Sequence, residues 1–241
     1  MHSRPENNRV VSIIPCWVFI FILIPLFLPI LGFGLWEKIE VSVWLEIGYH
    51  AFNCFIMLLL MFSYLKEDWF MVTTDLLFYL KHVALTASLI IGAELILCFL
   101  LFLLRVDVSY LLNCLPIAEM SASHSPLLLL DVQPILGTIT LSVFSPITIC
   151  TLFYCLGFAP VCCWKPWLAY LCISVVTLIP PLMDIFWRGD AQFLLSAYII
   201  HLPIHLLACW SYQKTDNVWT PIATLAVTNL ILSIALPILL F

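Results

Sequence analysis

The sequence predicts an all-α fold: a polytopic integral membrane bundle of about seven transmembrane helices, forming one integral domain over residues 1–241. Three observations carry this. Of the residues, 64% are hydrophobic and only 10% charged, with a mean hydropathy of +1.14, whereas a soluble domain carries about a quarter charged and about half apolar residues. The apolar residues fall into runs near the ~20 residues that a bilayer core requires. Short polar connections separate these runs, and none is large enough to bury a core of its own.

The first run, 10–35, follows Arg4 and Arg9. It exceeds the roughly 7–15 residues of a signal-peptide apolar region, and no small-residue cleavage site follows it. It is expected to be an uncleaved first span, kinked at Pro15, Pro25 and Pro29, since membrane helices tolerate proline. The second span is expected over 43–65. Residues 66–82, with Lys66, Glu67, Asp68, Asp75 and Lys81, read as a polar connection with an apolar middle, either an interfacial helix or the start of the third span at 83–104. The longest loop, 105–133, holds Asp107, Glu119, His124 and Asp131, and its leucine clusters suggest that it lies on the membrane surface. Span four, 134–157, is interrupted by Pro146, which leaves a re-entrant course open. Spans five to seven follow at 167–187, 191–211 and 218–240.

These runs are apolar nearly all round, so periodicity does not separate an inner from an outer face; length and flanking charge carry the assignment. A cytoplasmic N-terminus puts Arg4, Arg9, Lys66, Lys81, Lys165 and Lys214 inside and Lys38, Arg105 and Arg188 outside, which agrees with the positive-inside rule. The net charge of −5 is spread over short loops. It forms no basic patch, which excludes nucleic acid as a partner; the lipid bilayer is the partner the composition demands. Of the ten cysteines, Cys16, Cys54, Cys98, Cys150, Cys155, Cys172 and Cys209 lie inside apolar runs, where thiols act as small hydrophobes, and Cys162-Cys163 is expected in a short turn near Lys165. No metal-ligand spacing stands out, and no metal or cofactor is expected.

Ionisable groups at membrane depth are costly, by roughly 2.5–3.5 kcal/mol each on insertion scales, and persist mainly where they are paired or used. Glu46, His50 and Asn53 share one face of span two, as a proton relay, an ion site or an interhelical hydrogen-bond cluster. Glu94 stands alone in the middle of 89–104 and is either functional or bonded to another helix. His201 and His205 are one turn apart around Pro203. They lack the glutamate of the H-E-x-x-H zinc pattern and read as structural or substrate-site groups. Asp184 and Arg188 are also one turn apart, followed by Gly189. On spacing alone they form an ion pair capping a span.

Three stretches resemble one family. Pro181-Leu182-Met183-Asp184-Ile185-Phe186-Trp187-Arg188-Gly189 is similar to the "P-x-E-E-x-x-F-R-G" element of the CAAX prenyl protease and bacteriocin-processing family (CPBP, also called Abi). Tyr212-Gln213-Lys214-Thr215-Asp216-Asn217-Val218-Trp219-Thr220-Pro221-Ile222 resembles its "Y-x-R-T-G-N-L-W-A-P-I" connection, and Ala223-Thr224-Leu225-Ala226-Val227-Thr228-Asn229-Leu230 is similar to its "L-A-H-A-x-x-N-L" helix. The likeness covers about residues 175–241. It implies a multi-pass protein of a bacterial inner membrane and a scaffold built for membrane-embedded, glutamate-dependent proteolysis, in which a carboxylate activates water and histidine and asparagine hold the oxyanion.

The chain departs from that pattern at its centre. Met183 occupies the first glutamate position, Asp184 the second, and Leu225 the histidine of the last element. The family's F-x-x-x-H element is absent, since Ala197 precedes His201 by one turn. Asp184, Arg188, His201, His205 and Asn229 are therefore the candidate site. The expected function is that of a weakened or non-catalytic relative that binds a membrane peptide or protein. The alternatives are an active peptidase with Asp184 as base and a proton-linked transporter using Glu46, His50 and Glu94.

Overall fold

The computed structural model describes residues 39–104, 140–178 and 191–240, and these are helical apart from short turns, with no strand among the described residues. The expected first span at 10–35, the loop 105–133, Asp184 and Arg188 lie outside the described residues.

Helix α1, Ile39–Thr74, is 36 residues long. Residues 66–74 continue it instead of forming a separate connection, because neither glycine nor proline interrupts them. Its last turn closes on itself: the Thr73 and Thr74 hydroxyls donate to the carbonyls of Phe70 and Met71, each at 2.7 Å. Asp75 then caps α2, Leu76–Leu103, accepting from the Phe78 amide at 3.3 Å. Such a side-chain oxygen satisfies one of the orphan amides that every helix start leaves. Of the segment 66–82, residues 66–74 thus belong to α1, and only 76–82 open the helix of the third apolar run.

A continuous helical stretch follows: π1 (Thr140–Phe144), α3 (Ser145–Ile149), π2 (Cys150–Phe158) and α4 (Ala159–Trp164). Pro146 and Pro160 stand in the first turns of α3 and α4. There a proline's missing N–H and clash with the preceding turn are absorbed by a change of helical register, as wider π turns allow. The chain therefore passes Pro146 without reversing. Cys162 and Cys163 lie in α4, not in a turn, the first buried and the second exposed. The turn comes at Lys165, whose extended backbone separates α4 from α5, Pro166–Val176. Helices α6, Ala191–Thr215, and α7, Trp219–Leu240, form the final hairpin.

Helix α7 is the hub of the packing: it touches α2, α6, π1, α3 and α1. The core is built from Met57, Met61 and Leu65 of α1, Tyr154 and Phe158 of π2, and Cys209, Tyr212, Ile222 and Leu225 of the hairpin. The outward faces are as apolar as the core. On α2, Leu85, Leu95, Ile96, Phe102 and Phe99 are exposed, the last by 61%. Among the described residues, two helices are long and apolar enough to cross a membrane: Leu76–Leu103, of 28 residues and mean hydropathy 2.4, and Ser142–Trp164, of 23 residues and mean hydropathy 1.8.

Candidate functional site

The tightest polar construction among the described residues joins the α6–α7 turn to α1. Asp68 is 0% exposed, and its Oδ2 accepts from the Val218 amide at 2.9 Å. The Asn217 side-chain amide donates to the Asp68 carbonyl at 2.8 Å, and the Asn217 Oδ1 accepts from the Trp219 amide at 2.9 Å. The Trp219 indole N–H donates to the Leu65 carbonyl at 2.8 Å, and its ring meets Trp69 edge-on at 5.2 Å. Two orphan amides at the start of α7 are thus satisfied by an asparagine within the turn and a carboxylate from another helix. A negative charge at that end also complements the helix dipole. The turn itself needs a left-handed residue, and Asp216 supplies it with φ 48°.

Hydroxyl pairs continue into the bundle. The Tyr64 and Tyr212 hydroxyls are 3.1 Å apart, and the fully buried Tyr154 places its hydroxyl 2.7 Å from His205 Nδ1. The Tyr170 hydroxyl donates to Gln213 Oε1 at 2.8 Å.

Farther along, the bundle interior changes character. Glu94, 2% exposed on the inward face of α2, has no hydrogen-bond partner for either carboxylate oxygen among the described residues. The Asn53 Oδ1 and the hydroxyls of Ser142, Thr220, Thr224 and Thr228 are likewise buried and unpartnered there. The three threonines are spaced one turn apart on α7 and form a hydroxyl stripe along its buried side. Asn53 lies as far before Asp68 as Glu94 lies after Tyr79, which itself approaches Asp68 and Asn217. At 1.5 Å of rise per residue, both sit about 22 Å from the Asp68 end.

Of the candidate residues, Asp184 and Arg188 lie outside the described part. His201 and His205 share a half-buried face of α6, and Asn229 is half-buried on α7. His205 and Asn229 are equidistant in sequence from Asn217, so the antiparallel hairpin brings them to one depth, about 18 Å from the turn. Leu225 is buried in the core. His50 is half-buried on α1, and Glu46 belongs to the same helix, with its side chain outside the described ones. Glu94 faces the α6 and α7 side of α2, since that helix packs chiefly on those two and little on α1. No group of three histidine, cysteine or acidic side chains that could hold a metal ion occurs among the described residues.

Sequence reasoning passed over Tyr64 and Tyr154, and read Asp68 only as one acid of the 66–82 segment and Tyr212 only as part of a family-like stretch. Tyr64, Leu65 and Asp68 do stand at helical spacing on one face of α1, but only the folded chain pairs that face with the α6–α7 turn. No family model matches the sequence, and neither the curated proteins nor the solved structures yield a match.

Proposed function

We propose that the chain is a multi-pass protein of about seven spans in a bacterial inner membrane. Its scaffold resembles that of the CPBP family, its hydrolytic chemistry is weakened or lost, and it binds a membrane peptide or protein. The membrane reading draws support from the outward apolar faces. It also draws support from the Asp68 end, where exposed Trp69, Trp164 and Trp167 accompany exposed Lys66, Lys165 and Lys214. Aromatic rings and lysines concentrated at one level match a cytoplasmic membrane interface.

The single observation that carries the family likeness is the α6–α7 turn. Asp216 has a positive φ where the family pattern carries glycine, and the Asn217 and Trp219 that follow make the bonds which hold the turn. The loss of chemistry is supported by Leu225, buried where the pattern has histidine, and by His205, whose Nδ1 is taken up by Tyr154. Purified protein in lipid is expected to cleave membrane-anchored peptides no faster than its Asp184→Asn variant. Turnover that disappears on that substitution would establish the active peptidase with Asp184 as base. Attachment of thiol reagents at Lys66→Cys and Lys214→Cys from opposite sides of the membrane would break the proposed topology.

One observation favours a second reading, proton-linked transport, through Glu94 rather than through the set of Glu46, His50 and Glu94, since α2 packs little on the α1 that carries the other two. Glu94 points into the bundle, not into lipid, and is buried without donors among the described residues. A carboxyl in that position is a candidate proton carrier. Proteoliposomes should then acidify or alkalinise their lumen in a manner lost on Glu94→Gln; no such flux in the native protein removes this reading.

A further inference from the structure

An open groove of about 670 Å³ lies between α2, α5 and α6, lined by Leu89, Trp167, Tyr170, Leu206, Leu207 and Trp210. Its walls are almost wholly apolar, but its mouth is not. Lys214 stands one turn beyond Trp210 on the same face of α6. Lys165 immediately precedes α5, two residues before Trp167, and its Nζ lies 5.2 Å from the centre of the Trp164 ring. Both lysines are exposed, as are Trp164 at 73% and Trp167 at 63%. The Tyr170–Gln213 pair adds polar groups at the same level. Leu89, at the deep end, lies about 15 Å along α2 from Tyr79. Tyr79 marks the level of Asp68 and Asn217, so the groove ends within half of a hydrocarbon core of about 30 Å, hence within one leaflet.

We infer that this groove holds an anionic phospholipid of the cytoplasmic leaflet, its acyl chain along Leu89, Leu206 and Leu207 and its phosphate between Lys165 and Lys214. The charge of the mouth selects this occupant. A groove for a neutral lipid or a helix would need no cations beside its end, whereas lysines beside an anionic surface each strengthen binding several-fold. Tryptophans at the rim place amphipathic rings at headgroup depth, where they are favoured. The inference rests on the membrane reading above.

The test is native mass spectrometry of the full chain in mild detergent, titrated with phosphatidylglycerol and, separately, phosphatidylcholine of the same chains. Phosphatidylglycerol should be retained about tenfold more strongly, and Lys165→Gln with Lys214→Gln should abolish that preference, since two cations are removed. Leu206→Trp should fill the groove and lower retention of both lipids. Circular dichroism and a single elution peak establish that each variant is folded. Equal retention of the two lipids by native protein, or an undiminished preference in the double variant, overturns the inference. So does a cross-link to the chain's own run at 10–35, or to a second copy, from Leu171→Cys, an exposed residue of α5 that also lines the groove. Release of the native protein from membranes by alkaline carbonate would instead overturn the membrane reading. Retention in the membrane without lipid preference would overturn the lipid site alone.

Discussion

Asp68 and Glu94 are both buried carboxylates in the same helical bundle, and the bundle treats them differently. Asp68 receives the Val218 amide on its side chain and the Asn217 amide on its carbonyl. Glu94 receives no hydrogen bond from any described residue on either oxygen. Around Asp68 the polar groups close one another off, through Asn217, Thr215 and Trp219. Around the inner face of α2 and along α7 they do not: Asn53, Thr224 and Thr228 keep unpartnered oxygens among the described residues. A buried group without donors costs more free energy than a satisfied one. The first region is therefore built for stability. The second tolerates a cost.

Substitutions sharpen or break this contrast. The largest effect is expected at Asp68. Asp68→Ala leaves the buried Val218 amide without its acceptor and should destabilise the protein by about 3 kcal/mol, combining a lost cap with a lost charge-assisted bond. The check is the midpoint of unfolding in mixed detergent micelles. A change under about 0.5 kcal/mol would mean that water serves the helix start equally well.

Tyr154→Phe comes next. It removes the hydroxyl from His205 Nδ1 and should cost about 1–2 kcal/mol, because the imidazole stays in the bundle without that partner. If His205 serves only to anchor this pair, Tyr154→Phe with His205→Leu should recover part of the loss, and a double-mutant cycle reads the coupling.

Glu94→Gln should act in the opposite direction. It keeps the shape and removes a carboxyl that lacks donors among its described neighbours, so stability is expected to rise by about 1 kcal/mol. A loss of stability instead would place Glu94 with Asp68 as a structural group and dissolve the contrast. The smallest effect is expected at Asp216→Gly, where a residue free to adopt positive φ should add about 0.5–1 kcal/mol. A loss there would show that the Asp216 side chain itself supports the turn.

The course of the chain was readable wherever an apolar run met a clear stop. Helices α6 and α7 lie where the last two spans were expected, and α2 contains the third. The errors came where composition changed without a stop. Residues 66–74 are polar enough to suggest a connection, yet nothing in them breaks a helix, and α1 runs through. Cys162 and Cys163 were expected in a turn because Lys165 and Pro166 follow closely, but the helix ends only at Lys165. Asp68 was legible as one acid in a charged segment and illegible as a helix cap, because the amide it receives lies at Val218, in a distant part of the sequence.

Composition and run length by themselves determined the all-helical class, the apolar character of both the inner and outer faces, and the position of the final hairpin. Those properties depend on local hydrophobicity and backbone preference. Which polar groups are quenched and which are left open was decided only by the tertiary structure. An apolar helix has no periodicity to mark its inward side, so His205 met Tyr154, Trp219 met Leu65 and Glu94 met no donor among the described residues only once the helices had packed.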